Sequence, residues 1–521
     1  MKRKTVTGMD RRSVILTAGA GLAAQFLTPA PARAAQAVTD HATEVYTRIG
    51  VRPFITLTAT STVNGGGLTL PEVKSAMEAA SLHSVNIDEL MDKAGKRIAT
   101  LLGAESAIVT SGASSALTNA TAACVAGADP EAIQLLPRLA GTGLKDEVIM
   151  PRYARNPYDH AIRTVGVKII SVDTLDELRR AIGKQTAMIA LVGSHGMKIP
   201  LESIVPLARK AGVPVVVDGA PEFPKVPNTY LSGGADLVAY SGGKILMGPQ
   251  CSGILMGRRD LVAAAWVNSS PHDGLGRTMK VGKEEIMGLL AAVEALIQRR
   301  HPAEEQRQWV TQLSQIDQIV SRVPDVRTKH VPPPGTNPHP GLQIEWDPAK
   351  IDMTLGELQD ELLKGEPRLK VNADGPEREG HSVLVHAAGI RPGQENLVAD
   401  RIRDVLQQAA RKGKRPNPAP PAEQLAGTWE VDVRFARGAA QHRLVLESNG
   451  NRISGWHYGR DAKGALSGTI SGERVRFRSV LPLAAVQFPY TFTGKISRGK
   501  MSGDLEYYEH SRAQWTATKH V

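Results

Sequence analysis

The sequence predicts an α/β protein: a large domain with a mixed, mostly parallel β-sheet, a small α/β lobe, and a C-terminal antiparallel β-barrel or sandwich. Three features predict this architecture. An apolar, β-branched run over residues 213–217, broken only by Pro214, is typical of a strand buried in a parallel sheet. A second short strand, predicted over residues 236–240, leads through two glycines to Lys244. After residue 424, short alternating segments punctuated by glycine predict antiparallel strands.

The first 34 residues have the composition of an export signal. They hold six basic residues against one acidic residue, including the pair Arg11 and Arg12, then a Gly/Ala-rich apolar run to about Leu27, and Ala32-Arg-Ala34. This pattern resembles a twin-arginine signal peptide cleaved after Ala34. A membrane anchor and a disordered basic tail are the alternatives, but the apolar run is short and glycine-rich for a bilayer span. We therefore expect a periplasmic protein.

Length, charge and cysteine content set limits on the rest of the chain. A chain of 521 residues should hold more than one domain. The formal net charge is +11, and once the leader is removed the remainder is too weakly basic to predict nucleic-acid binding by itself. Two cysteines, Cys124 and Cys251, are too few for a disulfide framework. No later segment reaches the length of a membrane span, so we expect a soluble mature protein.

An acid and a lysine follow the two predicted strands of the large domain. Asp218 ends the first strand and Lys244 follows the second. Ligands of open α/β sheets bind at the carboxyl ends of the strands, so both side chains should meet in one crevice. The alternative is a lysine in a surface turn and an aspartate that caps a helix.

The residues around this pair carry a family resemblance. Asp218, the segment Ala235-Asp-Leu-Val-Ala-Tyr-Ser-Gly-Gly-Lys244 and the segment Gly248-Pro-Gln-Cys-Ser-Gly253 resemble fold-type-I enzymes that use pyridoxal phosphate (PLP). Within them, the pattern is similar to the class-V aminotransferase-like group around bacterial selenocysteine synthase and D-glucosaminate-6-phosphate ammonia-lyase. The resemblance covers about residues 45–410. It implies that Lys244 forms a Schiff base with PLP, that Asp218 keeps the ring nitrogen protonated, and that Ser241 contacts the cofactor.

A small-residue turn upstream is the predicted phosphate site. A strand beginning at Ala107 runs into a turn and then a helix that extends through Val125. Backbone N–H groups at a helix N-terminus bind anions, and small residues allow a phosphate to approach them. The predicted cradle consists of Ser111, Gly112, Ala113 and Ser114. A serine-capped core helix is the alternative.

Two loops after later strands are predicted to face the ring and the substrate. In the family resembled here, the loop that follows the strand over residues 145–150 supplies a side chain that stacks on the pyridine ring. Tyr153 is the best-placed aromatic residue, while Ala154 stands where relatives place histidine. His195 follows the strand over residues 187–192 and is a candidate substrate contact; a loop histidine without a role is the alternative.

Three basic residues complete the predicted site. The segment that begins at Gly276 resembles a family motif that reaches the cofactor phosphate of a neighbouring subunit, which makes Arg277 and Lys280 candidate anion contacts in a homodimer. A solvated charge cluster is the alternative. Arg368 matches the family segment that brings an arginine to the substrate carboxylate, where bidentate pairing favours arginine over lysine.

Composition shifts divide the chain into five parts. A basic, proline-rich stretch is typical of a semi-rigid linker, and the module beyond it has a lipocalin-like rhythm with a Gly427-Thr-Trp opening. We favour a filled core over a ligand cavity for this module. The predicted parts are a signal peptide (1–34), a PLP-binding large domain with its N-terminal segment (35–275), an interdomain helix with the small lobe (276–410), the linker (411–424) and a small all-β domain (425–521).

The resemblance implies an exported PLP-dependent lyase. The substrate would be a small amino acid or an amino sugar acid, and the reaction an ammonia-lyase-like α,β-elimination, with Lys244 as the general base. The alternatives are a PLP-dependent aminotransferase and a non-catalytic binding protein that keeps the fold. No metal is expected, and a tRNA substrate is disfavoured because export would separate the protein from tRNA. We also expect a homo-oligomer.

Overall fold

The computed structural model describes residues 44–193, 197–333, 338–373, 375–507 and 511–520. The predicted signal peptide and the predicted substrate contact His195 lie outside the described residues. The chain divides into two compact units, one ending at Ile55 and the other beginning at Thr56. In the first unit, residues 44–47 are helical, and the backbone N–H of Gly50 then donates to the carbonyl of Thr47 at 2.9 Å.

The second unit is organised around a seven-stranded sheet and a smaller three-stranded sheet. The strands before residue 390 are β1 (Ile55–Thr56), β2 (Ser106–Thr110), β3 (Glu147–Pro151), β4 (Lys168–Val172), β5 (Thr186–Val192), β6 (Val215–Asp218), β7 (Leu237–Ser241), β8 (Gly253–Gly257), β9 (Val326–Val331), β10 (Gly341–Trp346), β11 (Leu369–Lys370) and β12 (Ser382–His386).

The large sheet is mixed and mostly parallel, as predicted. Its strand order is β2-β8-β7-β6-β5-β3-β4, and β8 runs antiparallel to both of its neighbours, β2 and β7. Every residue of β5 and β6 is buried, because helices cover both faces of a parallel sheet and apolar side chains pack on each side. Asp218 therefore ends a strand at the centre of the sheet.

The helices pack on this sheet or belong to the small lobe. They are α1 (Pro71–Ser81), α2 (Ile87–Leu102), α3 (Ala113–Ala126), α4 (Pro130–Leu135), α5 (Asp159–Arg163), α6 (Leu175–Ala181), α7 (Leu201–Ala211), α8 (Thr229–Ser232), α9 (Arg259–Val267), α10 (Lys283–Gln298), α11 (Pro302–Val320), α12 (Leu355–Lys364) and α13 (Glu395–Lys412), with short 3₁₀ turns at Thr62–Asn64, Arg152–Ala154 and Gly375–Glu379. No helix among the described residues is long and apolar enough to cross a bilayer.

The small lobe combines the antiparallel sheet β12-β10-β9 with α11, α12 and α13. Helix α12 begins at a side-chain cap. Thr354 accepts from the backbone N–H of Glu357, whose carboxylate accepts in return from the backbone N–H of Thr354 at 2.8 Å. Such a reciprocal cap satisfies two helix donors and stabilises by about 1 kcal/mol. Strand β12 and helix α13 complete the lobe.

The C-terminal module is a closed barrel of eight antiparallel strands. Its strands are β13 (Gly427–Arg434), β14 (Ala439–Asn449), β15 (Arg452–Tyr458), β16 (Lys463–Ser471), β17 (Arg474–Leu483), β18 (Val486–Ser497), β19 (Lys500–Tyr507) and β20 (Ser511–Lys519). Pairing of β20 with β13 closes it, so a barrel rather than a sandwich forms. Alternate residues point inward, and large aromatic side chains, Trp429, Phe477, Phe492 and Trp515, are fully buried inside.

The segment that joins the barrel to the small lobe is exposed but anchored. Residues 413–422 form neither helix nor strand. The guanidinium of Arg415 nevertheless donates to Asp352 at 2.7 Å and to Glu357 at 2.5 Å. A hydrogen bond to Arg415 is the main reason why the pKa of Asp352 falls to about 2. These side chains hold the predicted linker against the lobe, although the predicted division into domains stays a prediction.

Candidate active site

A cavity of about 750 Å³ lies at the carboxyl edge of the large sheet. Its walls come from the ends of β2, β5, β6 and β7 and from the segment around residues 60–66. Strands that run parallel end on one side of a sheet, so side chains far apart in the sequence meet there. The predicted site residues that line it are Ser111, Gly112, Ala113, Ser114, Asp218, Ser241 and Lys244.

Lys244 follows β7 in a tight, mostly buried turn. Burial lowers the pKa of its ammonium group, and the carboxylate of Asp218 partly opposes that shift. The lysine is therefore not the solvated surface residue of the alternative interpretation. A lowered pKa leaves a larger fraction of the amine neutral, which a nucleophile or general base requires.

The glycine before Lys244 is required by packing. A β-carbon at Gly243 would lie 2.6 Å from the α-carbon of Gln250. The lysine turn thus packs directly on the loop that carries Gln250 and Cys251, both of which line the cavity. Gly243 therefore allows two backbone segments to approach each other closely at the lysine turn.

Asp218 is a buried carboxylate at the end of β6. One of its oxygens accepts from the backbone N–H of Ala220 at 3.0 Å. The next helix, α8, begins only at Thr229 and is capped by Asn228. Asp218 therefore does not cap a helix, and its carboxylate lines the cavity instead.

The predicted phosphate cradle lies at the N-terminus of α3. Gly112 is the cap residue, with φ of 140°, and no side chain caps the helix, so the serine-capped alternative does not hold. The first N–H groups of a helix have no intrahelical acceptor, and here they border the cavity. A β-carbon at Gly253 would lie 2.5 Å from the carbonyl carbon of Gly112, so this glycine allows the turn to form.

The aromatic residue at the cavity is Tyr158 and not Tyr153. Tyr153 is not among the described residues that line the cavity; its hydroxyl accepts from the backbone N–H of Ile199 at 3.5 Å. Tyr158 lines the cavity, with the amine of Lys244 5.4 Å from its ring centroid. The sequence analysis identified the loop but chose Tyr153, whereas Tyr158 lines the cavity.

A buried carboxylate explains why Tyr158 is held at the cavity. The next residue, Asp159, is 1 % exposed and pairs with Arg155 and with Arg163, the latter at 2.9 Å. The backbone N–H of Tyr158 also donates to the side chain of Asn156 at 2.8 Å. Asn156 itself lines the cavity, and the sequence analysis missed it.

The three predicted basic residues do not line this cavity in the described chain. Arg277 is exposed and donates to the hydroxyl of Ser270 at 3.0 Å, and Lys280 is exposed. Their assignment to a neighbouring subunit's phosphate stays a prediction. Arg368 is half-buried and donates to the carbonyl of Leu363 at 2.8 Å, so the structure does not bring it together with Lys244 and Asp218.

The residues present fit PLP. An amine with a lowered pKa suits covalent attachment, a buried carboxylate suits a protonated ring nitrogen, and an exposed helix N-terminus suits a phosphate. The cavity volume lies in the range of sites for ligands of this size. Among the residues that the structure describes, no cluster of His, Cys, Asp and Glu is suited to a metal ion.

Several known proteins are similar to this chain in sequence and architecture. The family model "Aminotransferase class-V" matches residues 73–287. The chain is 31% identical to 5'-C-glycyluridine monooxygenase-decarboxylase from Streptomyces sp, over 71% of this chain and 93% of that protein. It is 32% identical to D-glucosaminate-6-phosphate ammonia lyase from Salmonella typhimurium, over 48% of this chain and 69% of that protein. A solved structure of D-glucosaminate-6-phosphate ammonia-lyase is 26% identical, with a TM-score of 0.62, and the match covers 70% of this chain and 99% of that one.

Proposed function

Because this chain belongs to the class-V aminotransferase family of PLP-dependent enzymes, we propose that it is a lyase that breaks a bond next to the amino-bearing carbon of an amino acid or amino sugar acid. The observation that carries the proposal is the meeting of Lys244, Asp218 and the N-terminus of α3 around one cavity. The names of two similar enzymes support cleavage over amino transfer, since one is an ammonia lyase and the other a decarboxylase.

Each of the three groups has a distinct task. PLP, when bound, draws electron density from the carbon that carries the amino group. With PLP bound, Lys244 would hold the cofactor through its amine. When the substrate's amine takes that place, the freed lysine would remove the proton of the amino-bearing carbon and pass it to the group that leaves the neighbouring carbon. Asp218 holds a positive charge on the ring nitrogen in a buried site, where a fixed charge acts strongly. The N–H groups of α3 hold the phosphate.

Oxidative decarboxylation is the second candidate. The relative from Streptomyces sp, matched over 93% of its length, is named a monooxygenase-decarboxylase. Such a reaction would consume O₂ and release CO₂, whereas an elimination would release ammonia and a 2-oxo acid without O₂. Aminotransfer remains a third possibility, since the same lysine and aspartate serve it.

A product analysis tests the proposal. The PLP-loaded enzyme is incubated with D- and L-amino acids and with amino sugar acids, and ammonia, CO₂ and O₂ are measured. We expect the enzyme to release the same amount of ammonia in air and under argon. CO₂ release with O₂ uptake would support the second candidate. Conversion of an added 2-oxo acid to an amino acid, without net ammonia, would contradict the lyase assignment.

Export and assembly belong to the same proposal. The paired arginines and the Ala32-Arg-Ala34 site support a periplasmic enzyme, delivered through the twin-arginine route after it has bound its cofactor. We propose a homodimer in which Arg277 and Lys280 of one subunit approach the phosphate of the other. Their exposure is compatible with this role. The barrel would then serve recognition or positioning, because its core is filled by aromatic side chains.

A further inference from the structure

A second cavity adjoins the first. It has a volume of about 620 Å³, and Lys244 and Thr60 line both cavities. Its far wall comes from α11 and from the segment around residues 388–395, so it lies between the lysine turn and the small lobe. We call it the side chamber. The first cavity alone is large enough for the cofactor and a small amino acid, so a small substrate would leave the side chamber unused.

The wall of the side chamber contains a pair of aromatic rings. Trp309 and His339 lie with their centroids 5.0 Å apart and their planes tilted by 42°. His339 is buried, and burial, assisted by the nearby His386, lowers its pKa to about 4, so the imidazole is uncharged at neutral pH. Apolar residues such as Leu70 and Met247 also line the side chamber. The wall therefore suits a flat, uncharged group.

The far wall of the side chamber also carries polar side chains that hydrogen bonds hold in place. The amide of Gln312 donates to the carboxylate of Glu395 at 2.7 Å, and Glu395 also accepts from the backbone N–H of Gly393 at 2.8 Å. Glu395 is only 8 % exposed, so these bonds hold it rigidly. Arg391 lies exposed at the same end. Polar groups of this kind fix the orientation of a ligand whose bulk rests on apolar walls.

We propose that the side chamber binds a ring-bearing substituent of the amino substrate, with Trp309 as the stacking surface. The inference rests on the proposed function, because the amino group must face Lys244 for the substituent to enter the side chamber. The substrate class is then an α-amino acid whose side chain carries an aromatic or heteroaromatic ring. A planar ring gains from stacking on tryptophan, whereas an aliphatic side chain of similar size gains only from burial.

Ligand titration of the PLP-loaded enzyme tests this assignment. Changes in the visible absorption of the bound cofactor give Kd for phenylalanine and tryptophan, with leucine as the aliphatic comparison, in both D and L forms. A ring-bearing amino acid is expected to bind about tenfold more tightly than leucine. Trp309→Leu should remove that preference. Val310→Ala is the matched control, because Val310 is an exposed neighbour on the same helix, and it should keep the preference.

The results of this titration distinguish failure of the side-chamber proposal from failure of the proposed function. Equal binding of leucine and of ring-bearing amino acids, or an unchanged preference in Trp309→Leu, would overturn the role of the side chamber alone. If neither these amino acids nor amino sugar acids alter the cofactor spectrum of the wild-type enzyme, the proposed function fails and the inference fails with it.

A separate observation concerns the backbone around Lys244. The side chain of Arg300 is 7% exposed and forms a bidentate pair with Glu305, with both N–O distances 2.6 Å. Its remaining N–H groups donate to the carbonyls of Ile245 and Leu246 at 3.1 Å each. The guanidinium also lies 5.7 Å from the ring centroid of Phe223, in the loop that follows Asp218.

The geometry points to Arg300 as a positioning residue for Lys244. The two carbonyls belong to the residues immediately after Lys244. The guanidinium of Arg300 therefore fixes the turn from which the lysine side chain extends. The carboxylate of Glu305 fixes the orientation of the guanidinium. A planar guanidinium can donate to all four acceptors at once, which are the two carboxylate oxygens and the two carbonyls. A lysine at this position would keep the charge but lose the parallel bonds.

Kinetics and cofactor binding of Arg300→Lys and Arg300→Met test this role. We expect kcat to fall about 100-fold in Arg300→Met with little change in KM, because a displacement of about 1 Å at a reacting group has an effect of that size. The pH at which the absorption of the bound cofactor titrates should shift, and Arg300→Lys should recover part of both losses. Arg299→Met is the matched control, since Arg299 forms an exposed pair with Glu72 at 3.0 Å.

A purely structural role predicts something different. Arg300→Met would then melt at a lower temperature while its folded fraction kept wild-type kcat and the wild-type pH titration, and that result would overturn the proposal. If Arg300→Met does not fold, the same measurements on Arg300→Lys and on Glu305→Gln decide the question.

Discussion

Replacing Lys244 with alanine is expected to abolish turnover, by at least about 10⁴-fold. The change removes the amine that attaches the cofactor and also the base that moves the substrate proton. The side chain is half-buried at the edge of a cavity and its ammonium group is desolvated there, so its loss should change the free energy of unfolding by less than about 1 kcal/mol. Steady-state kinetics and a thermal melt check both parts.

The control for Lys244 is another lysine of the same edge of the sheet. Lys225 is exposed in the loop after Asp218, and Lys225→Ala should keep wild-type kinetics. The visible absorption of the cofactor gives an independent measurement, because it should change in Lys244→Ala and stay the same in Lys225→Ala. Turnover by Lys244→Ala at the wild-type rate would show that this enzyme does not work through PLP chemistry at Lys244.

Asp218→Asn is expected to lower kcat by about 10²–10³-fold while PLP stays bound. Asparagine keeps the oxygen that accepts from Ala220, so the loop should hold its shape, and only the negative charge is lost. Without that charge the ring nitrogen is less readily protonated, and negative charge on the substrate carbon is less well stabilised. Asp218→Ala should show a similar loss in kcat together with a lower melting temperature.

An exposed aspartate provides the comparison for Asp218. The carboxylate of Asp173 is 55% exposed and pairs with Arg152 at 3.0 Å, and Asp173→Asn should leave kcat unchanged. Equal rates for wild type and Asp218→Asn would show that the carboxylate supports the loop after β6 and takes no part in the chemistry.

The sequence predicted the part of the site that follows from strand order. Residues 213–217 form a buried run because a parallel sheet covered on both faces accepts apolar side chains on each side. Asp218 ends one strand and Lys244 follows its parallel neighbour. Both residues therefore lie at the carboxyl edge of the sheet, where they line one cavity. The small-residue turn at the start of α3 was predicted because a helix N-terminus binds anions. The structure places this turn after β2, where it lines the same cavity.

Long-range side-chain contacts determined the parts of the site that strand order does not predict. The sequence analysis favoured Tyr153 as the best-placed aromatic residue, whereas the structure places Tyr158 at the cavity. The buried pairing of Asp159 with two arginines holds Tyr158 there. Arg368 matched a family segment, but its guanidinium bonds to the carbonyl of Leu363 within its own lobe.

The sequence also predicted the C-terminal module and the linker only in part. Alternation of residues predicted the strands of the last module, but only the pairing of β20 with β13 made them a barrel. Proline and basic residues predicted a linker, and the bonds from Arg415 to Asp352 and Glu357 then anchored it. Local sequence determined the strands, helices and turns because their periodicity and caps act over a few residues. The tertiary structure determined Tyr158, Arg300 and the side chamber, because each depends on charges and rings that meet only after distant segments have packed.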